Sequence, residues 1–487
     1  FHMPNLAIIN AIAFGMSDHL LLSSRLISMT GGFLTTVLIF LAVRGAFGFA
    51  PRIRDRAAAL AVLALVCNPI FITTTGRAWN HEVPTFLTLA AFLCAVRGLR
   101  RDRSTLMVAL SGALLGLAIG TRLTFAPAAL SLGAMVAIAP GKSPRVKAGL
   151  MLALGAGVAV ALLPSWVLLA QAPREFIFGN FTYASLNTRF PVAGGLGGGM
   201  TLPGKLGYVF SDLLVKPGNL LLFVALGASL VGVWNCKRTA PHPHRFEMLS
   251  LVFVIGGLLV GSFAPAPLFP VYFYEPVPFA VLLVAYAAAD SPGVGAAGVG
   301  ARWKKLVAGA ALLSIVLSIP QQRGMANPFD RGSWVPLRVH QAGMDLAAIT
   351  GPGRVLTYSP IFPLEGKVEI YEELATGPFA ARAARLLPES DEPRFKLADE
   401  EDWRPAFRQR PAAAILGGFE GTLDDDLVAS LPRRRLRETT LWYQGKPLHV
   451  YVWLPRHRRP EPAGVASGKP ARASATAEGA GGAARPR

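Results

Sequence analysis

Long apolar runs separated by short polar or basic stretches occupy the first two thirds of the chain. Runs able to form helices across ~30 Å of hydrocarbon fall at 26–46, 57–75, 83–97, 105–121, 123–139, 148–170, 219–235, 247–264, 270–289 and 305–320. The pattern predicts a polytopic α-helical membrane protein of about ten spans. The stretch from Leu6 to Leu22 is interrupted by Gly15, Asp18 and His19, and predicts a helix lying in the interface. Either Ser17 or Asp18 could serve there as an N-cap.

After Ile319 and Pro320 the pattern turns mixed and polar. Short β-rich runs (Arg354 to Tyr358, Ala412 to Leu416, Arg435 to Trp442, Leu448 to Trp453) alternate with helical ones (Val335 to Ile349, Phe379 to Leu387, Leu423 to Leu431). Gln444, Gly445 and Lys446 suit the turn of a closing hairpin. Three parts follow: a membrane domain over 1–321, with 1–25 as its external interfacial segment; a C-terminal α/β domain over 322–455; and a basic tail over 456–487, too poor in large apolar residues to fold.

Composition agrees with lipid as the main solvent: 16% of residues are charged and 52% hydrophobic, and mean hydropathy is +0.43. The net charge of +19 would suit nucleic acid if it formed one stripe, but it is dispersed between apolar segments, so no nucleic-acid partner is expected. Cys67, Cys94 and Cys236 show no paired spacing, which argues against a disulfide framework or a zinc site.

The basic residues set a sidedness. Arg44 to Arg56, Arg97 to Arg103, Lys142 to Lys147, Lys237 to Arg245 and Arg302 to Lys305 all fall on one side of the predicted spans, which the positive-inside rule makes cytoplasmic. Loops 76–82, 171–218 and 264–269, and everything after 321, are then outside, which makes the chain a multi-pass membrane protein whose C-terminal domain is extracytoplasmic; the family resemblance described below implies the bacterial cytoplasmic membrane. Phe1 is outside too, with neither an initiator Met nor a signal peptide. The expectation is a fragment whose missing upstream helix carried it across.

Candidate chemistry gathers on the outer side. Loop Gly76-Arg77-Ala78-Trp79-Asn80-His81-Glu82 puts a cation, an aromatic, an imidazole and a carboxylate between two spans, either lining a site or anchoring Trp79 among headgroups. Arg122 could hold a phosphate bidentately or could snorkel. Tyr272, Tyr274 and Glu275, among prolines, suit a cavity wall or an aromatic belt. His2, before the first proline, is a lone further candidate. Gly194 to Gly199 neither follow a strand nor open a helix, so they read as a mobile loop and not as a phosphate cradle. Asp424, Asp425 and Asp426 lack calcium-loop spacing and read as a solvated helix start. On a helix, adjacent His81 and Glu82 would point about 100° apart, so no metal is predicted from this loop. A divalent ion elsewhere is left open.

In order and sidedness, several segments resemble the GT-C superfamily of polyprenyl-phosphate-sugar-dependent glycosyltransferases, particularly family 39, the protein mannosyltransferase and aminoarabinose transferase type. They are Phe1-His2-Met3-Pro4-Asn5; Gly15 to Arg25 with Arg25-Leu26-Ile27-Ser28; Gly76 to Glu82; Leu114 to Leu123 with Thr121-Arg122; and Tyr272 to Pro278. The resemblance implies inverting transfer, in which an external carboxylate deprotonates the acceptor and cations neutralise the departing lipid phosphate. It implies Glu82 as a secondary acid, with the principal acid upstream of Phe1, and Arg77 and Arg122 as basic site residues. His81, Tyr272, Tyr274, Glu275 and His2 complete the candidate substrate-binding set. Val271 stands where the pattern often has Arg. The implied partners are membrane lipid, a polyprenyl-phosphate-linked sugar as donor substrate, and a glycan, lipid or protein acceptor, with no cofactor. Competing readings are a transporter or lipid flippase, which would favour repeated halves and midplane charges, and a nonenzymatic cell-envelope assembly protein.

Overall fold

A computed structural model describes residues 3–46, 51–100, 104–186, 201–235, 244–265, 268–289, 309–322, 329–388, 391–397, 410–429 and 436–453, apart from single positions within them. His2, the glycines at 194–199 and the tail from 456 lie outside the described residues.

Helices form where the apolar runs predict them, but polar and proline residues cut several short. The run at 57–75 divides into Pro51–Val66 and Pro69–Thr74, because the Asn68 side chain accepts the amides of Ile70 and Phe71 and starts a new helix with Pro69 in its first turn. The run at 148–170 divides at Leu162 into Pro144–Ala161 and Leu163–Gln171. There Pro164, lacking an N–H, suits a helix start and not an interior. The run at 123–139 opens with a 3-10 turn, Leu123–Phe125, before Pro127–Ala137. Among the described residues, five segments are long and apolar enough to cross a membrane: Leu20–Ala46, Glu82–Arg100, Pro144–Ala161, Arg245–Phe263 and Pro270–Ala288. The bent pair Leu202–Leu214 and Gly218–Gly227 raises the number to six if counted as one span. By length and composition, the described residues thus account for five or six of the ten spans expected.

Small residues let the helices approach closely. A side chain at Gly112 would meet the Leu154 carbonyl at 2.1 Å, and one at Gly157 would meet the Ala109 carbonyl at 2.1 Å, so the backbones of Ser104–Thr121 and Pro144–Ala161 touch directly.

The N-terminal segment forms the helix Pro4–Ser17, with Gly15 inside it. Asp18 ends this helix in the left-handed region (φ 58°), so it does not act as an N-cap. Its carboxylate pairs with Lys367 at 2.8 Å. The next helix starts at Leu20, six residues before the apolar pattern predicts. Its exposed amides are satisfied from another part of the chain: Glu365 accepts Leu20 N–H at 3.2 Å and Leu21 N–H at 2.7 Å.

Residues 354–453 carry a five-stranded mixed sheet in the order β2-β1-β3-β5-β4: β1 Arg354–Leu356, β2 Glu369–Ile370, β3 Ala414–Gly417, β4 Leu436–Tyr443 and β5 Lys446–Trp453. β1 runs parallel to β2 and β3, while β5 runs antiparallel to β3 and β4. The register pairs Val355 with Ala414, Ile415 with Tyr451, and Tyr443 with Lys446. The β4–β5 pair is the hairpin expected from Gln444 to Lys446, with Gln444 at φ 51° in its turn. Val339, Ala342 and Leu346 of helix Val335–Thr350 pack against the sheet with Phe362, Tyr443 and Val450. Asp424 is not solvated as expected. It is 2% exposed, and its Oδ2 accepts the amides of Gly418, Phe419 and Glu420 at 2.7–2.9 Å, clamping the loop after β3.

Candidate active site

One face of helix Leu20–Ala46 organises the site. Positions 21, 25, 28 and 32 are separated by four, three and four residues and so share one stripe. At its start Leu21 packs into the apolar core of the sheet. Arg25 comes next, within electrostatic reach of Tyr443 at the end of β4 and of Arg77 in loop 76–82. Ser28 donates to the Trp79 carbonyl at 3.1 Å. Gly32 then lets Thr75 close in: a side chain there would lie 2.9 Å from Thr75 Cγ2 and 3.8 Å from the Tyr274 hydroxyl. At Gly31 beside it, a side chain would meet the backbone of Glu82 and Val83 at 2.9–3.2 Å. A single helix face thus joins the sheet, loop 76–82 and the Tyr272 to Pro278 segment.

Glu82 opens helix Glu82–Arg100 and is fully buried. Its Oε1 accepts Gly76 N–H at 3.1 Å, closing loop 76–82 into a ring, whereas its Oε2 is buried without a hydrogen-bond partner. Arg77, at the ring's exposed edge, lies over the Trp79 ring at 5.5 Å.

The second group is built around Glu275, also fully buried. Arg122 follows helix Ser104–Thr121, is 12% exposed, and donates from Nε to Glu275 Oε1 at 3.1 Å and to Thr124 Oγ1 at 2.8 Å. Its Nη1 donates to Asn80 Oδ1, tying the guanidinium to loop 76–82. Thr124 donates to the same Glu275 oxygen at 3.0 Å, and Arg122 stacks over Tyr272 at 5.3 Å. Glu275 Oε2 is left without a partner.

His81 Nδ1 stands 3.6 Å from Glu275 Oε1. Complete burial, reinforced by the neighbouring Arg122 charge, holds the imidazole well below its usual pKa. At neutral pH it is therefore uncharged, and the approach to Glu275 is a contact between a neutral ring and a carboxylate, not an ion pair. Tyr272 lies 5.9 Å from the His81 ring. Tyr274, fully buried, stacks on Phe71 at 5.3 Å.

The structure therefore brings together Arg77, His81, Glu82, Arg122, Tyr272, Tyr274 and Glu275. Sequence reasoning did not single out Asn80, Thr124 or Arg25 as site residues. Asn80 lies within the polar loop and Thr124 two residues after Arg122, so spacing alone could have nominated them. The pairing of Arg122 with Glu275, 153 positions apart, leaves no local signal.

No family model and no curated protein matches the chain. Solved structures do. ArnT from Cupriavidus metallidurans, in its apo state, aligns with a TM-score of 0.56 at 13% identity over 92% of this chain and 87% of that one. The chain has the GT-C fold. The same ArnT bound to undecaprenyl phosphate aligns with a TM-score of 0.55 over the same shares. The Archaeoglobus fulgidus oligosaccharyltransferase, in its apo form, aligns at 0.47 and 12% identity, covering 90% of this chain and 65% of that one. The resemblance read from the degenerate motifs thus holds at the level of fold. On that fold, the motif segments 76–82, 114–123 and 272–278 meet in one polar cluster.

Proposed function

We propose that the chain is an integral membrane glycosyltransferase that moves a sugar from a polyprenyl-phosphate donor to a lipid, polysaccharide or protein acceptor at the outer face of the bacterial cytoplasmic membrane. The observation that carries this reading is the cluster around loop 76–82. Two fully buried carboxylates, Glu82 and Glu275, each keep one oxygen unbound, and Glu275 lies beside the Arg122 guanidinium and the neutral His81 imidazole, on the fold of a protein solved with undecaprenyl phosphate. Buried polar atoms find partners in the protein, in water or in a ligand, and a buried carboxylate with spare bonding capacity in a polar cluster is a candidate for chemistry.

In this proposal Glu82 is the secondary acid. Removing a proton from an acceptor hydroxyl needs a carboxylate within hydrogen-bond reach of it. Glu82 is covered in this state, so loop 76–82 would open for an acceptor to approach, releasing among its bonds the Gly76 amide that holds Oε1. Arg122, anchored by Glu275, Thr124 and Asn80, fixes positive charge beside the loop, where it would stabilise negative charge developing on the leaving phosphate. Tyr272 holds the guanidinium plane.

The test is transfer of radiolabelled sugar from a polyprenyl-phosphate donor by the full protein in membranes, against Glu82→Gln. Incorporation into lipid, glycan or protein that the variant loses supports the proposal. Absence of transfer to any acceptor, together with substrate-coupled uptake, would replace it with the transporter reading.

A further inference from the structure

The seam between the C-terminal sheet and the membrane helices fixes which edge of the sheet is turned towards the bilayer. Asp18 pairs with Lys367, and just beyond it Leu20 and Leu21 give their amides to Glu365. Advancing into the span Leu20–Ala46 therefore means going backwards along the short helix Ile361–Glu365, towards the end of β1 that precedes it. The ends of β1, β3 and β4 and the start of β5 share that edge, because β1 and β3 are parallel, Gly417 pairs with His449, and Trp442 pairs with Pro447. Phe362 connects the edge to the seam, its ring 5.7 Å from Phe419 and 5.1 Å from Tyr443.

This edge carries three large aromatic side chains in the open. Trp442 at the end of β4 is 68% exposed, Phe419 in the loop after β3 is 52% exposed, and Phe379 is 43% exposed. Phe379 belongs here because Gly377, two residues before it, lies against the carbonyl of Tyr358 just past β1, where a side chain would meet it at 2.7 Å. Cations accompany the rings: Lys446 is exposed across from Tyr443, and the Arg382 guanidinium lies 5.2 Å from the Phe379 ring. Further up the same face of β4 the exposed residues are polar, Thr440 and then Glu438, which is bonded to His449 at 2.8 Å. Single exposed apolar side chains are ordinary, but aromatics gathered on one edge beside cations mark an interaction surface.

Two observations commit that surface to lipid. The apolar run of the span begins at Leu26, and five residues of helical rise put it about 7–8 Å beyond Leu21, about the depth of one headgroup layer. The edge that lies in this direction from the seam is thus at headgroup level. Helix Pro4–Ser17, which leads into the Asp18–Lys367 contact, also exposes Ile12 and Met16, so apolar surface continues from the membrane domain to the sheet. We infer that this edge is an interaction surface for the bilayer, with Trp442, Phe419 and Phe379 seated in its interfacial layer and Lys446 among the headgroups. Aromatic rings flanked by basic residues favour that layer because one side of it is apolar and the other wet. The C-terminal domain is then held twice, by the seam and by lipid. The inference rests on the membrane span and stands apart from the transferase proposal.

The experiment places nitroxide spin labels on the full protein in phospholipid nanodiscs. The labelled variants are Trp442→Cys, Phe419→Cys and Glu438→Cys, each in a background of Cys67→Ser, Cys94→Ser and Cys236→Ser. Glu438 is the internal control, on the same face of β4 and about 14 Å from Trp442 by the rise of an antiparallel strand. Collisions with oxygen, which concentrates in lipid, are compared with collisions with a water-soluble nickel complex. The oxygen-to-nickel ratio at 442 and 419 should exceed that at 438 by about fivefold or more. Equal ratios at all three positions would overturn the inference. Labels at 442 and 419 shielded from both reagents would overturn it too, since protein and not lipid would then cover the edge. A label-free measurement guards against disturbance by the label. The emission lost in Trp442→Phe isolates this indole, and phospholipid brominated near the headgroup end of its acyl chains should quench about half of it or more. Unquenched emission sinks the inference whatever the labels report.

Discussion

Glu365 and Glu275 are equally buried, yet they sit in opposite situations. Glu365, where the sheet meets helix Leu20–Ala46, uses both oxygens: Oε1 takes Leu21 N–H, and Oε2 takes Leu20 N–H and His340 Nδ1 at 3.0 Å. Glu275, at the polar cluster, crowds Arg122 and Thr124 onto Oε1 and leaves Oε2 bare, and Glu82 likewise leaves one oxygen bare. Burial of a carboxylate does not by itself mark a functional residue. A fully bonded buried acid holds parts together, whereas one with unused bonding capacity beside a cation, as Glu275 is beside Arg122, can take a further partner.

The strongest way to break this contrast is to remove the cation. Arg122→Ala strands a buried carboxylate and should cost about 3–5 kcal/mol, read as a large fall in melting temperature in nanodiscs. Pairing it with Glu275→Leu should restore much of that stability, since an apolar pair of similar volume tolerates the site, while activity stays lost. Restored transfer in the double variant would show that the pair is structural only.

Glu365→Ala should come next, leaving two helix-terminal amides and His340 without their acceptor at a cost of about 1–3 kcal/mol. Because Glu365 joins the sheet to the helix that carries Arg25, this variant should also loosen the seam, which faster amide exchange at Leu20 and Leu21 would report. Unchanged exchange there would mean that Leu21 packing alone secures the junction.

Glu82→Gln tests the other side of the contrast. The amide keeps an oxygen for Gly76 N–H, so melting temperature should hold. The proton-accepting role disappears, and transfer should drop about 100-fold or more. A variant of wild-type activity would reassign Glu82 to loop closure.

These residues also show where the sequence was readable. Apolar periodicity located the helices and the strand order of the hairpin, because both depend on local pattern. It overestimated span lengths wherever one residue overrules the pattern, as Asn68 and Pro164 do, and it placed the start of helix Leu20–Ala46 late because the cap comes from Glu365, 345 positions away. The two-residue strand β2 and the short helix Ile361–Glu365 carry too few residues for any period to register. At the site, the motif segments nominated Arg77, Glu82, Arg122 and Glu275, yet the bonds among them are long-range. Asp424 was misread for a different reason: its three amide partners are local, four to six positions before it, but the loop turn that aims them at its carboxylate is fixed only by folding.

The smallest expected effect concerns His81. Its pKa is well below the usual value in the folded protein and near 6.5 once unfolded. As pH falls through about 6.5, the unfolded chain takes up a proton that the folded one refuses, so stability declines with acidification. Above that range the group is neutral in both states and contributes no pH dependence. His81→Gln removes the titration while keeping a polar side chain, so the melting temperatures of wild type and variant should converge or cross between pH 7.5 and about 5.5, with wild type losing more on the acid side. Parallel curves would mean that His81 charges without cost, which requires Glu275 to act as its counter-ion. The unused capacity at Glu275 would then be a proton-linked ion pair in waiting, and the cluster would resemble Glu365 more closely than its resting bonds indicate.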